Sequence, residues 1–148
     1  MDIKALLQRE NDRVKDYIVR SCSDLTDEQV TYEHDAVDER GIGNIVSHLY
    51  GSVLSRSSLV TGHGAIPQPT DPPRTSKDLL SYVDETHRRV ATLLDEVTEE
   101  QLGATVTVGT REMTGIEAVM QGYSHAARHV GNILDARHLG GFETHALG

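Results

Sequence analysis

Cysteine, tryptophan and phenylalanine are nearly missing from this chain: its 148 residues hold one Cys, no Trp and one Phe, beside five Tyr. A single thiol, Cys22, excludes an intrachain disulfide framework and suits a reducing cytoplasm. With so few aromatics, the core must be built from Leu, Ile, Val and Ala, which favours helix on helix over a sandwich of sheets. No apolar run approaches the length of a membrane span, so no transmembrane helix is expected. Met1-Asp2-Ile3-Lys4 opens the chain without an apolar stretch, so no signal peptide is expected either. Basic residues are also in deficit, 14 Lys and Arg against 23 Asp and Glu, for a formal net charge of −9. Without a Lys/Arg stripe there is no electrostatic footprint for nucleic acid or anionic lipid. The expectation is a cytoplasmic protein of one domain, residues 1–148, with neither nucleic-acid nor membrane partners.

Several catalytic arrangements are missing too. No Ser-His-Asp or Cys-His set is legible, no glycine-rich phosphate loop follows a strand, and no H-E-x-x-H motif occurs. Cys22, between Ser21 and Ser23 near the end of the first helix, reads as a small half-buried thiol rather than a nucleophile.

What is present is helical periodicity. Ile3, Leu6, Leu7, Val14, Ile18 and Val19 mark an amphipathic helix over 2–22. Thr26-Asp27-Glu28-Gln29 is a capping box that starts a short turn. Tyr32 to Arg40 is polar and reads as a loop. A second helix over 42–61 carries Ile42, Ile45, Val46, Leu49, Val53 and Val60. Gly62 to Thr75 holds all four prolines and is a loop. A third helix runs from an N-cap at Ser76 to Val97 through Leu79, Leu80, Val83, Val90, Leu93 and Leu94. Thr98-Glu99-Glu100-Gln101 is another capping box. Thr105 to Met113 alternates around Gly109 and reads as a small hairpin or an extended segment. Thr114-Gly115-Ile116-Glu117 is a third capping box and opens the last helix, which stops at Gly140-Gly141. Four long helices with short connections predict an all-α four-helix bundle.

Histidine is the conspicuous chemical resource. His125 and His129 are four apart on the last helix, so they stack on one face and can reach one cation. A chain with 8 histidines in 148 residues shows about 0.4 such pairs by chance, so context must decide. On the last helix, Ile116, Val119, Met120, Tyr123, Ala127, Val130 and Leu134 form an apolar arc. The two histidines flank it among Ala118, Gly122 and Ala136, and these small residues predict free space around the imidazoles. On the second helix His48 borders the apolar stripe, with Asn44, Gly51, Ser52 and Ser55 on its face. His34 and His63 fall in loops, His87 reads as solvated, and His138 and His145 lie at or beyond the end of the last helix.

The chain resembles the DinB-like (YfiT-type) metalloenzymes. The residues that carry the likeness are Gly43-Asn44-Ile45-Val46-Ser47-His48-Leu49 and His125-Ala126-Ala127-Arg128-His129-Val130-Gly131-Asn132-Ile133. The family shows one histidine in its second helix, then H-x-x-x-H followed by a Gly-Gln-Ile-like turn, here Gly131-Asn132-Ile133. The resemblance implies a divalent metal, nickel, zinc, iron or manganese, held by His48, His125 and His129. It also implies a homodimer and a low-molecular-weight thiol as cosubstrate. The expected activity is thiol-dependent S-transfer on a small electrophile in stress response or detoxification. A metal-dependent hydrolase and a non-catalytic metal-binding stress protein are the alternatives. Asn44, Tyr123 and Asn132 are candidates to support the ligands. No catalytic residue is assigned.

Overall fold

The computed structural model describes residues 2–37 and 41–144. In chain order these form α1 (Ile3–Cys22), α2 (Asp27–Val30), α3 (Ile42–Val60), α4 (Ser76–Glu96), α5 (Glu99–Gly103), β1 (Thr105–Val108), β2 (Arg111–Thr114) and α6 (Gly115–Gly140). Among the described residues there are thus six helices rather than four, but α2 and α5 are the short turns announced by the capping boxes. Thr26 and Thr98 each accept from the backbone three residues on, and the Gln29 and Gln101 side chains return the bond. Each exchange satisfies two of the amide groups that a helix start leaves open. At Thr114 only the first half is made, with its hydroxyl accepting from Glu117 N. The cap of α4 is Thr75 rather than Ser76. Thr75 Oγ1 accepts from Asp78 N, while the Ser76 amide donates to Asp27 Oδ1 at 2.8 Å. A partner from α2 therefore shifts the start by one residue.

The long helices touch in the cycle α1–α4–α3–α6–α1. Three hydroxyls or amides lock that cycle from inside. Tyr50 Oη, fully buried, donates to Asn11 Oδ1 at 2.8 Å, and Asn11 Nδ2 donates to the His87 carbonyl. Tyr123 Oη donates to the Leu7 carbonyl at 2.9 Å. These bonds let polar atoms sit among Leu, Ile and Val without the cost of about 1–3 kcal/mol for an unpaired buried group. At one end, Arg137 is buried, grips both Asp24 carboxylate oxygens at 2.8 Å, and donates to the Ser21 and Phe142 carbonyls. The two strands pair antiparallel, Thr105 with Thr114 and Val108 with Arg111. Gly109 (φ 63°) supplies the turn between them, since tight hairpins need positive φ.

The packed face of α6 overlaps the expected arc at Val119, Tyr123 and Val130, which are buried, but departs from it elsewhere. Met120 and Ala127 are exposed and Leu134 is half-buried, whereas Ala118, Gly122, Ala126, Ile133 and Ala136 are buried. The small residues do not leave space; they let α3 come close. A Cβ at Gly122 would lie 3.1 Å from Arg56 Cδ and 3.7 Å from Val53 Cα. Close approach of backbones rewards small side chains at the contact, and large apolar ones are displaced to its edge. A similar approach fixes the start of α3, where a Cβ on Gly43 would fall 2.0 Å from the Pro73 carbonyl oxygen. The proline loop is thereby seated on that helix. No helix among the described residues is long and apolar enough to cross a membrane.

Candidate metal centre

His48 sits midway along α3, and the close contact of α3 with α6 presents it to His125 and His129. The Nε2 atoms of His48 and His125 lie 3.3 Å apart, and those of His125 and His129 lie 3.0 Å apart. The three rings pack edge to face with centroids 4.4–4.9 Å apart. One nitrogen from each falls within 4.8 Å of the others. His129 is buried, and His48 and His125 are half-buried. All three residues expected as ligands from the sequence are therefore brought together. His34, His63, His87 and His138 are not part of the group: they contact Ala36 N, Glu96, Asp12 and Glu143. The side chain of His87 is only 19% exposed and stands 2.7 Å from Asp12, so it is not the solvated residue expected. His145 lies outside the described residues.

The donor set fits a divalent cation. A tetrahedral ion bound at about 2.0–2.1 Å places its nitrogen ligands about 3.3–3.4 Å apart, close to the spacings found. Three converging nitrogens cannot all be satisfied by one another, because each neutral imidazole has a single N–H to share among its neighbours. One cation satisfies three lone pairs at once. His125 Nδ1 is buried with no hydrogen-bond partner among the described residues, so the polar contacts of that ring are confined to the Nε2 side. Burial, and then the neighbouring His129 and His48, push the His125 pKa down to about 4, with Arg128 and Arg56 adding to the effect. The ring thus stays neutral, the form that coordinates a metal. No carboxylate joins the group among the described residues, and three nitrogen donors leave a coordination position for a further ligand.

Of the three expected supporting residues, Asn132 stands against the cluster. Its amide lies 2.9 Å from His129 Nδ1. With Nε2 turned to a cation, Nδ1 carries the proton, and the Asn132 oxygen is the atom that must accept it. A half-turn of the amide supplies this arrangement, which fixes the tautomer. Tyr123 is spent on the Leu7 carbonyl. Asn44 lines a separate hollow of about 260 Å³ with Val30, Thr31 and Pro73. Cys22 is fully buried and its thiol is pushed up to about 12 by that burial, so it is inert.

Of the polar groups beside His48, sequence reasoning placed Ser52 on its face but missed Gln68. Ser52 Oγ donates to the His48 carbonyl at 2.9 Å, and Gln68 Nε2 reaches the same carbonyl from the proline loop at 3.3 Å. Ser52 was legible as the residue one turn on from His48. Gln68 was not, because only the fold of the loop brings it back.

Residues 4–143 match the family described as "Protein of unknown function (DUF1572)". A conserved protein of Enterococcus faecalis has a similar structure, with a TM-score of 0.71 at 16% identity over 94% of this chain and 97% of that one. A DinB-like protein of Bacillus subtilis, YjoA, is similar at a TM-score of 0.58 and 20% identity over 86% and 92% of the two chains. At these identities the likeness is one of fold, and the fold is DinB-like. No curated protein matches the chain.

Proposed function

We propose that this chain, which belongs to the DUF1572 family of proteins of unknown function, is a metal-dependent enzyme built on a four-helix bundle with His48, His125 and His129 as ligands. The observation that carries the reading is the convergence of three Nε2 atoms from two helices. Nitrogen donors suit nickel, zinc, iron or manganese, and the ligand type does not choose among them. A cation bound there supplies positive charge that stabilises an anion, and so keeps a thiol deprotonated near neutral pH.

The protein's own residues do the rest. His125 and His129 hold one face, His48 closes it from α3, and Asn132 orients His129 through Nδ1. Ser52 and Gln68 tie down the His48 backbone. The proposed reaction bonds the sulfur of a small thiol to the electrophilic carbon of a substrate in detoxification or stress response, the thiol proton passing to solvent and an anion such as chloride leaving that carbon, by a cytoplasmic homodimer of this single domain. A metal-dependent hydrolase is the second reading, because the same charge also lowers the pKa of water.

The test is metal analysis of untagged protein, followed by conjugation of N-acetylcysteine to 1-chloro-2,4-dinitrobenzene. Wild type is expected to hold about one equivalent of metal and to turn over. His129→Ala is expected to lose at least about 100-fold in metal affinity, together with turnover. Equal turnover by the two proteins rules out a catalytic metal, and wild type without metal rules out the centre itself.

A further inference from the structure

α3, the proline loop and the hairpin border a cavity of about 320 Å³ that opens to solvent, within the range of small-molecule sites. Ser52, Ser55, Arg56 and Leu59 of α3 form its floor, and Ile66 and Val108 are among its walls. It begins one helical turn from His48, at the serine that donates to the His48 carbonyl. Arg56 is the cation of this cavity and the only Lys or Arg in α3. Its stem is pressed against α6 where Gly122 has no side chain. Burial lowers its pKa, yet no carboxylate among the described residues pairs with it. Among the described residues its one hydrogen bond is a 3.5 Å contact from Nη1 to the Ala118 carbonyl. Arg13, Arg20, Arg74, Arg88 and Arg137 lie within 4 Å of a carboxylate, and Arg9, Arg89, Arg111 and Arg128, which have no such pair among the described residues, are exposed to water where Arg56 is half-buried. A half-buried guanidinium without a counter-charge is held ready for an anion from outside.

We infer that this cavity is the substrate pocket, and that it takes a small molecule with an apolar body and a carboxylate that lies against Arg56. Ser55 Oγ accepts from Ile66 N at 3.0 Å, and its hydroxyl proton remains to donate to the second carboxylate oxygen. Leu59, Ile66 and Val108 cover the apolar body. Ser52, one turn before Arg56 in the same cavity wall, donates to the His48 carbonyl, so a ligand anchored at the guanidinium extends along α3 toward the histidines. The inference rests on the metal-centre reading only for the direction in which the reactive end points.

The experiment compares phenylacetate with its neutral isostere phenylacetamide, titrated into ¹⁵N-labelled metal-free protein, wild type and Arg56→Gln. Leaving the metal out removes any competition for the carboxylate. The acid is expected to bind wild type at least about tenfold more tightly than the amide, with the largest shifts at Ser55, Ile66 and Gly109. Arg56→Gln is expected to remove that advantage and to leave amide binding unchanged. Equal binding of acid and amide to wild type overturns the inference, as does the absence of saturable acid binding. Neither outcome depends on the variant folding. Zinc titration of the same samples separates the two readings. Acid binding that depends on Arg56, without zinc binding, sinks the metal centre and keeps the pocket. Zinc binding with no preference for the acid sinks the pocket alone.

Discussion

The α1–α4 side and the α3–α6 side of the bundle are packed by different means. α1 buries 6 of its 20 residues and α4 buries 5 of its 21. Each presents a narrow apolar stripe, and the seam is closed by polar contacts such as Lys15–Asp84 at 3.0 Å and Gln8 on the Ala91 carbonyl. α3 instead buries 13 of its 19 residues, and α6 buries 11 of its 26, many of them glycine, alanine or serine. The first pair needs only an amphipathic pattern to associate. The second has its backbones close together, and that closeness brings the imidazoles of His48 and His125 from separate helices to 3.3 Å. The α1–α4 seam thus lies apart from the histidine cluster, which the α3–α6 contact assembles.

The largest expected effect tests that division directly. Leu79 is fully buried on α4, and Leu79→Ala should cost about 2–5 kcal/mol in urea unfolding. The folded fraction should bind metal as tightly as wild type, measured by calorimetry. A parallel loss of metal affinity would mean that the two halves are not separable.

Asn132→Ala is the converse change. It removes the group that faces His129 Nδ1 and should weaken metal binding about 10–100-fold, while the midpoint of unfolding of the metal-free protein moves by less than about 1 kcal/mol. Unchanged affinity would leave Asn132 as a helix-surface amide.

The smallest effect concerns the clamp between the halves, Asp24 on the buried Arg137. The Arg137 guanidinium holds the Asp24 carboxyl below its ordinary value. Its stabilisation is therefore fully present above the unfolded-state pKa and is lost as pH falls through the lower folded value. Asp24→Asn should cost about 1–2 kcal/mol near neutral pH. The difference from wild type should shrink below about pH 4. A difference that persists at pH 2 would mean that packing rather than charge supplies the clamp.

Much of the fold could be read directly. The four long helices, the two capped turns and the hairpin segment follow from apolar periodicity, Thr-x-x-Gln boxes and Gly109, all of which act over a few residues. Local bonds do not, however, reveal which helix face is innermost. Val119, Tyr123 and Val130 of the expected arc are buried, but Met120, Ala127 and Leu134 gave way to the Gly122–Ala126–Ile133 side, because that side allows α3 to approach. The cap of α4 moved for the same kind of reason, through Asp27 on another helix.

By itself, the sequence determined to within a residue or two where the helices begin and end, that the core would be aliphatic, and that two imidazoles would share a face of α6, because backbone geometry fixes those relations within a few turns. The tertiary structure decided that His48 meets that pair, that Gln68 folds back over α3, and that Arg56 lies half-buried without an acid beside it. Each joins residues far apart in the chain, and only the close packing of α3 on α6 and the seating of the proline loop set the distances between them.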